Sequence, residues 1–285
     1  MAVDDSKPAS PALSPPPAWQ PLTPRGVAAF AQATLGRLLL VELVIASLTA
    51  GAVIWFLDAN WFPTIRQAIH QLPQQGEIRN QRLELPLAPA TTLAETRPYL
   101  ILVLNLEKQR NASQTSDVLI EFHRNNFQIC SLFGCLLLSY PQRWTVEFNR
   151  PRLAPWWEAW EPILLGLAGL LVVAVQLVSW ALLATFYCGL VRVLGFFKDR
   201  DLNWGRSWRL ASAALLPGTL LLPAAIFCYG LGVVDLLRLL LLFVLHLAVS
   251  WIYLVVSPVL VPRLPAVLPP GVNPFAAPPA RPKGD

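Results

Sequence analysis

The stretch PILLGLAGLLVVAVQLVSWALLATFYCGLV, residues 162–191, decides the fold of this chain. It carries no charged residue and is longer than the roughly 20 helical residues that span the hydrocarbon core of a bilayer. A buried core helix could explain one such stretch, but three further apolar stretches are also long enough to cross a bilayer, at 38–57, 208–231 and 236–261. The sequence therefore predicts a membrane α-helical protein with four transmembrane helices.

The composition of the whole chain agrees with this prediction. Hydrophobic residues make up 55% of the 285 positions and charged residues only 14%, against about 25% charged residues in soluble proteins. This composition argues against a soluble globular enzyme and against a wholly disordered chain. Tryptophan, which prefers the headgroup region, clusters at the ends of the apolar stretches. These tryptophans are Trp55, Trp61, Trp156, Trp157, Trp160, Trp204 and Trp208.

The charges of the connecting segments predict an orientation. The loop at 192–207 is basic, so the positive-inside rule places it in the cytoplasm. With four spans, the Pro-rich tails at 1–37 and 262–285 then lie in the cytoplasm as well, and 58–161 lies outside. Because 58–161 is neutral, the net charge of +5 belongs to the cytoplasmic side. We interpret that charge as a topology signal and a contact for lipid headgroups, and we expect no nucleic-acid partner.

The tails, the ratio of arginine to lysine and the end of the first apolar stretch bear on where the protein is located and how it is processed. Both tails are rich in proline, and we expect them to be flexible. Arginine greatly outnumbers lysine, which is typical of GC-rich bacterial genes, so we expect the cytoplasmic (inner) membrane of a bacterium. Ala50-Gly51-Ala52 has the form of a signal-peptidase site, but apolar residues continue beyond it. We predict an uncleaved signal anchor, with cleavage as the alternative.

Residues 58–161 are numerous enough for one small domain. Apolar residues at helical spacing over 62–72 predict an amphipathic helix near the membrane surface. Alternating polar and apolar residues around Asn80 predict a small hairpin at 76–86. Short apolar runs predict further strands at 99–106, 118–122, 127–130 and 135–139. Together they predict an inserted small α+β extracytoplasmic domain with a mainly antiparallel sheet.

The apolar stretch 129–138 contains two of the four cysteines. The stretch is too short to cross a membrane, so we expect it in the core of the domain. Cys130 and Cys135 flank a four-residue connection and would face each other in a hairpin, within reach of a disulfide. Free buried thiols and a redox-active pair are the alternatives. Cys188 and Cys228 lie within the apolar stretches, and we expect them to be small packing residues.

Neither the histidines nor any motif predicts a metal, a cofactor or catalysis. His70, His123 and His246 lie far apart, without the paired spacing of a zinc site. The sequence has no His-Glu-x-x-His, Gly-x-Ser-x-Gly, P-loop or Gly-x-Gly-x-x-Gly motif. We therefore expect a protein that is not an enzyme and binds no cofactor.

Polar residues inside the apolar stretches are functional candidates, because they are costly in lipid. Glu42 lies about one turn inside the first stretch, where an ion pair or a snorkelling carboxylate competes with a proton- or cation-handling role. Its candidate partners by depth are Arg37, Arg192 and Arg209. Gln176 and His246 lie near the middle of the second and fourth stretches, at matching depth for an interhelical hydrogen bond.

The third stretch is interrupted by Pro217, Gly218 and Pro223 at about the depth of Gln176 and His246. A broken helix beside polar groups is how many transporters build a binding site. An ordinary kinked bundle has the same sequence pattern. Packing is the simpler interpretation, and a conduction or binding site is the alternative.

The segment IHQLPQQGEIRNQRLEL, residues 69–85, combines a short helix, Leu-Pro and a small hairpin. With this motif and its order of elements, the chain resembles a group of uncharacterised bacterial multi-pass membrane proteins known only as a domain of unknown function. The resemblance covers most of residues 25–262. It implies one span, an external α+β domain and a C-terminal cluster of spans, here a compact cluster of three. It implies no active residues.

These patterns leave three hypotheses for function. The first is a non-enzymatic multi-pass membrane protein whose external domain binds or positions an envelope partner. The second is a small-solute or proton-coupled transport component, which would need Glu42, Gln176 or His246. The third is a membrane enzyme of unfamiliar type.

Overall fold

The computed structural model describes residues 20–86, 90–106, 116–143 and 145–263. Within these residues, four helical segments are long and apolar enough to cross a membrane. They are Leu35–Gln71, Arg150–Phe197, Trp204–Gly230 and Leu236–Leu260. Each overlaps a predicted apolar stretch, and the first three begin before it. The first two also extend beyond its end, to Gln71 and Phe197. Most of both predicted tails, residues 1–19 and 264–285, lies outside the described residues.

Polar caps outside the apolar runs set where three of the helices begin. The side chains of Asn149, Asn203 and Asp235 each accept a hydrogen bond from the backbone N–H three residues further on. Such a bond satisfies a donor that the first helical turn leaves without a partner. The helices are α1 (Pro24–Ala29), α2 (Leu35–Phe56), α3 (Phe62–Gln71), α4 (Arg150–Phe197), α5 (Trp204–Thr219), α6 (Leu221–Gly230) and α7 (Leu236–Val256).

The helices form a bundle with α5 at its centre. α5 packs against α2, α4 and α7, and small residues such as Ala211, Ala213 and Ala214 let these neighbours approach closely. By contrast, large apolar side chains cover the outer surface of α4, where Leu170 and Phe186 are exposed. An apolar outer surface around a tightly packed interior is what a helical membrane protein requires.

Residues 24–32, part of the tail predicted at 1–37, are folded, which corrects the expectation of flexibility for that part of the tail. Helix α1 and the 3-10 turn Phe30–Gln32 pack against α5 and place Val27 and Phe30 fully inside the bundle core. The hydroxyl of Tyr253 donates to the carbonyl of Leu22, 2.6 Å away. Burying these apolar side chains offsets the entropy of ordering a short proline-rich segment.

Helix α3 continues from α2 through a π-helical turn at Leu57–Trp61. Its apolar side packs against two strands and α4, with Ala68 and Leu72 in the same core as the sheet. The structure contains the amphipathic helix predicted from the sequence, and its apolar face covers the sheet. Helical periodicity identifies an apolar face without identifying what covers it.

The strands form two sheets between α3 and α4. They are β1 (Glu77–Arg79), β2 (Arg82–Glu84), β3 (Ala90–Thr96), β4 (Leu100–Asn105), β5 (Val118–Phe122), β6 (Asn126–Ser131), β7 (Gly134–Ser139) and β8 (Val146–Glu147). One sheet has the order β2-β1-β8, and the other has the order β3-β4-β5-β6-β7. All pairs are antiparallel except β4 with β5. We call the part from α3 to β8 the sheet domain.

The turn between β1 and β2 has the backbone that the sequence suggests. Asn80 and Gln81 both have positive φ, at 49° and 63°. A two-residue hairpin turn of type I′ requires this conformation at both positions, and asparagine adopts it more readily than most residues. The described strands thus include the predicted hairpin and the apolar strands at positions 100–105, 118–122, 126–131 and 134–139.

The expectation that 129–138 lies in the core is wrong for most of its side chains. Leu132, Phe133, Leu136 and Leu137 are 57%, 80%, 60% and 59% exposed. The reason is sheet order: β7 lies at the edge of the five-stranded sheet, and Leu132 and Phe133 form the turn that precedes it. A continuous apolar run is typical of a buried strand, but only long-range pairing determines which strand is at the edge.

Candidate functional site

Glu42 is buried between α2 and α5, where its carboxylate accepts a hydrogen bond from the hydroxyl of Ser212. The sequence suggests an arginine partner for Glu42. Within the described residues, no ion pair joins Glu42 to Arg37, Arg192 or Arg209. Arg209 donates instead to the carbonyl of Ala31, 2.9 Å away. A hydroxyl therefore holds the carboxyl group where the sequence suggests a cation.

This contact predicts a specific pattern of stability. Ser212→Ala leaves a buried carboxyl group without its donor, so we expect a loss of roughly 2 kcal/mol in the free energy of unfolding. Glu42→Gln keeps an acceptor for Ser212 and should cost less. The double variant Glu42→Leu/Ser212→Ala removes both polar groups and should be more stable than Ser212→Ala alone. Thermal unfolding of the purified chain in one detergent measures all three, and equal losses would contradict the contact.

The structure does not join the other two intramembrane candidates. The Nε2 atom of Gln176 is buried and has no hydrogen-bond partner in the described residues. The Nδ1 atom of His246 donates to the carbonyl of Phe243 in its own helix. The predicted hydrogen bond between Gln176 and His246 is therefore absent from the described contacts. Glu42, Gln176 and His246 do not form one site through hydrogen bonds.

The predicted interruption of the third stretch occurs at Leu220, between α5 and α6. Just before it, Gly218 lies against α7, and a Cβ atom at this position would be 2.1 Å from the carbonyl oxygen of His246. The hydroxyl of Ser250 donates to the carbonyl of Leu215, 3.3 Å away. Close backbone contact fills the space beside the break, so this region has the character of a packing contact.

Cys130 and Cys135 occupy opposite positions of β6 and β7, with Cα atoms 4.0 Å apart, and a disulfide joins them in the structure. Cys130 is buried, whereas Cys135 is on the exposed edge strand. The bond closes the base of the Leu132–Phe133 turn and holds the two strands in register. Cys188 and Cys228, in α4 and α6, are free thiols.

Two tyrosines attach the sheet domain to the end of α6. The hydroxyl of Tyr99 donates to the carbonyls of Tyr229 and Gly230, at 2.7 and 3.0 Å. The hydroxyl of Tyr229 donates to the carboxylate of Asp117, 2.6 Å away. Burial raises the pKa of Tyr99, so its hydroxyl keeps the proton that these bonds need. The base of the sheet domain is thereby held beside the connection from α6 to α7.

A buried polar network that the sequence did not predict crosses the five-stranded sheet. The Glu121 carboxylate accepts hydrogen bonds from the side-chain amides of Asn105 and Gln128, both at 2.6 Å. His123 lies beside it, with Nε2 3.9 Å from the same carboxylate, and its carbonyl accepts from the hydroxyl of Tyr140 at 2.8 Å. Polar residues two apart in an apolar strand are the signal that could have identified it.

The hydrogen bonds of this network are those of a structural support. Its two amide donors satisfy the carboxylate. In the described residues, no group of three His, Cys, Asp or Glu side chains could hold a metal ion. We assign the network to the stability of the sheet.

An open cleft of about 830 Å³ lies between the β1–β2 hairpin and the start of α4. Arg82 and Arg124 line it and form no ion pair with the described residues, whereas Arg152 pairs with Glu147. Both unpaired arginines are exposed, and the cleft is wide. Its basic side chains are those of an ordinary solvated surface.

The most unusual surface is the outer edge of β7, which we call the β7 edge (Gly134–Ser139). The strand is six residues long, uncharged and unpaired on one side within the described residues, and Leu136 and Leu137 are exposed on its opposite faces. Natural proteins usually protect such an edge with charges, proline or a covering element. The sequence carried a signal for it: a run of apolar residues without charge that is too long for one turn and too short for a membrane span.

Comparison of the chain with protein-family models, with curated proteins and with solved structures finds no match.

Proposed function

We propose that this chain is a multi-pass membrane protein whose sheet domain binds an extended apolar segment of an envelope partner along the β7 edge. It performs this role without catalysis, in the cytoplasmic membrane of a bacterium. Both termini and the 192–207 loop face the cytoplasm, so the sheet domain lies outside. The single observation that carries the proposal is the exposed, uncharged edge strand.

The two sheets of the same domain provide an internal comparison. β2 is also an edge strand, and its outward side chains Arg82 and Glu84 are charged and exposed. Charges on an edge discourage pairing with other chains, because pairing would remove them from water. The β7 edge carries no such protection over six residues. A difference of this kind within one domain supports a role in binding.

The chemistry of the β7 edge specifies the kind of partner. The open side of the strand presents backbone N–H and C=O groups, which an added strand can pair with. Exposed leucines on both faces favour apolar side chains at alternate positions of that strand. Because β7 has no charge, a charged partner segment would gain no ion pair on the strand itself. An extended segment of alternating apolar residues therefore fits best.

The proposal predicts a photo-crosslink between β7 and a partner, and it predicts that charged substitutions on β7 lower the yield of that crosslink. With a photoreactive amino acid at Ser139 in the full chain, we expect a covalent adduct with a partner in cells. Leu136→Lys/Leu137→Lys should reduce its yield roughly tenfold or more, because burying each lysine in place of leucine loses apolar contact and desolvates a charge. Mass spectrometry should place the adduct in an extended apolar segment of the partner.

The matched control changes the charged edge of the other sheet. Arg82→Lys/Glu84→Lys should leave the yield of the adduct unchanged, because β2 takes no part. Equal losses in the two double variants would contradict binding at the β7 edge. If the only adduct is with a second copy of this chain, the β7 edge mediates self-association and the proposed envelope partner is ruled out.

A flux measurement distinguishes the alternative function, transport of a small solute, from partner binding. Glu42 and His246 are buried polar residues within the helices, and α5 and α6 are separated by a break. If no partner adduct forms and proteoliposomes show a solute flux that requires His246, the partner-binding proposal is overturned. Intact partner capture with no flux would leave these residues as packing contacts.

A further inference from the structure

The turn between β6 and β7 points two large apolar side chains away from the sheet domain. We call Leu132 and Phe133 the hairpin tip. Ser131 pairs with Gly134, so the tip is a two-residue turn, and the two side chains are 57% and 80% exposed. Loop tips in contact with water are usually polar or rich in small residues. A leucine and a phenylalanine here indicate a contact that the chain alone does not provide.

The hairpin tip lies where an apolar helix begins. Ser131 and Leu132 border the same depression, of about 470 Å³, as Leu236 and Leu237 in the first turn of α7. Leu237 is exposed and begins the apolar outer surface of that helix. The tip is therefore beside the level at which α7 would enter the hydrocarbon region.

The neighbouring connection continues this apolar surface. Leu231 and Val233, between α6 and α7, are also exposed. The hairpin tip and this connection together present large apolar side chains at one end of the bundle. Exposing these apolar side chains to water is unfavourable in free energy, whereas contact with lipid chains is favourable.

The two ends of the β6–β7 hairpin differ in charge. The residues from Asn126 to Ser139 include no charged side chain. At the opposite end of β6, the turn before the strand contains Arg124 and Asn125, which are exposed. The charged end points away from α7, and the apolar end points toward it. The tip itself carries no charge that would have to leave water on entering lipid. Asp117 and Asp235 line the depression beside the tip, so they mark the water side of that contact.

The tip is also held in place rather than free to move away. The bonds of Tyr99 with the end of α6 and of Tyr229 with Asp117 anchor the base of the sheet domain near the tip. The disulfide between Cys130 and Cys135 closes the hairpin next to the turn. A preorganised tip loses little conformational entropy when it makes its contact.

We propose that the hairpin tip inserts Leu132 and Phe133 among the lipid chains of the membrane leaflet beside the first turn of α7. The occupant of this surface is lipid because the surface continues into the exposed apolar face of a spanning helix. Insertion would fix the tilt of the sheet domain relative to the membrane. This inference depends on the helices crossing a membrane and not on partner binding at the β7 edge.

A photoreactive residue tests the proposal in the full chain. p-Benzoyl-phenylalanine replaces Phe133 in one variant, Leu132 in a second and Asn125 in a third. Each variant is reconstituted in vesicles of phosphatidylethanolamine and phosphatidylglycerol and irradiated. We expect phospholipid adducts, detected by mass spectrometry of the peptide, from positions 133 and 132. Position 125, at the other end of β6, should give none.

Each other outcome overturns the proposal. Adducts that join two copies of the chain would show that the tip is an interface between protomers. The absence of lipid adducts at both 132 and 133 would place the tip in water. Equal lipid adducts at 125 and 133 would show a domain that lies on the membrane without orientation. Because position 133 is exposed, its substitution leaves the packing of the folded chain unchanged.

Discussion

Gly218→Val should separate α5 from α7 and destabilise the whole helical bundle. A Cβ atom at this position would lie 2.1 Å from the carbonyl oxygen of His246 and 2.2 Å from the hydroxyl oxygen of Ser250. The first of these atoms is backbone, so the contact cannot be relieved by a change of rotamer. Forcing extra atoms into a packed core costs about 1–3 kcal/mol, and valine at this contact should reach the upper end. We expect a fall of roughly 10 °C in the midpoint of thermal unfolding.

A second helical glycine is the matched control. Gly189 in α4 has no atom within 4 Å of an added Cβ. Gly189→Ala should be neutral or stabilise the chain by up to roughly 1 kcal/mol, because alanine favours the helix over glycine. Gly218→Ala should instead destabilise it. The same substitution thus has opposite signs at two positions, and equal midpoints for the two alanine variants in one detergent would refute the close approach of α5 and α7.

Glu121→Leu should have the largest effect on the sheet domain. It removes the acceptor of two amide donors, a buried one on Asn105 and a half-buried one on Gln128, at the centre of the five-stranded sheet. Losing the acceptor of a buried donor costs about 1–3 kcal/mol for each group. With partial rearrangement of the amides, we expect a loss of about 3 kcal/mol, which corresponds to roughly 100-fold faster hydrogen exchange in β5 and β6.

Hydrogen–deuterium exchange of the full chain in vesicles measures this effect strand by strand. Glu121→Gln retains one acceptor oxygen and should accelerate exchange less than Glu121→Leu. Glu84→Gln, at an exposed position on β2, should leave exchange in β5 and β6 unchanged. If Glu121→Leu exchanges at the wild-type rate, the network contributes nothing to the stability of the sheet.

Local patterns predicted the elements of this protein well. The charge-free run at 162–191 identifies a long apolar helix because an uninterrupted apolar surface needs no partner information. The alternation around Asn80 identifies the hairpin because strand periodicity and turn conformation are properties of neighbouring residues. Helix starts were less accurate, because the caps at Asn149 and Asn203 lie outside the apolar runs.

The sequence predicted poorly which side chains contact each other across the helices and strands. Depth along the helices suggested an arginine for Glu42, but the helices place Ser212 beside it. Matching depth suggested a bond between Gln176 and His246, although depth says nothing of how helices rotate about their axes. The polar network at β5 was not predicted, because a single glutamate in the sequence, such as Glu121, resembles a solvated charge.

The sequence by itself determined four apolar helices, a small domain of strands between the first two, and the absence of charge from residues 126–139. Only the tertiary structure decided that β7 is an edge and that Leu132 and Phe133 lie beside α7. The physical reason is that hydrophobic periodicity is set by neighbours along the chain. What covers an apolar surface depends instead on which distant segments pair with it, and here nothing in the described chain covers the β7 edge.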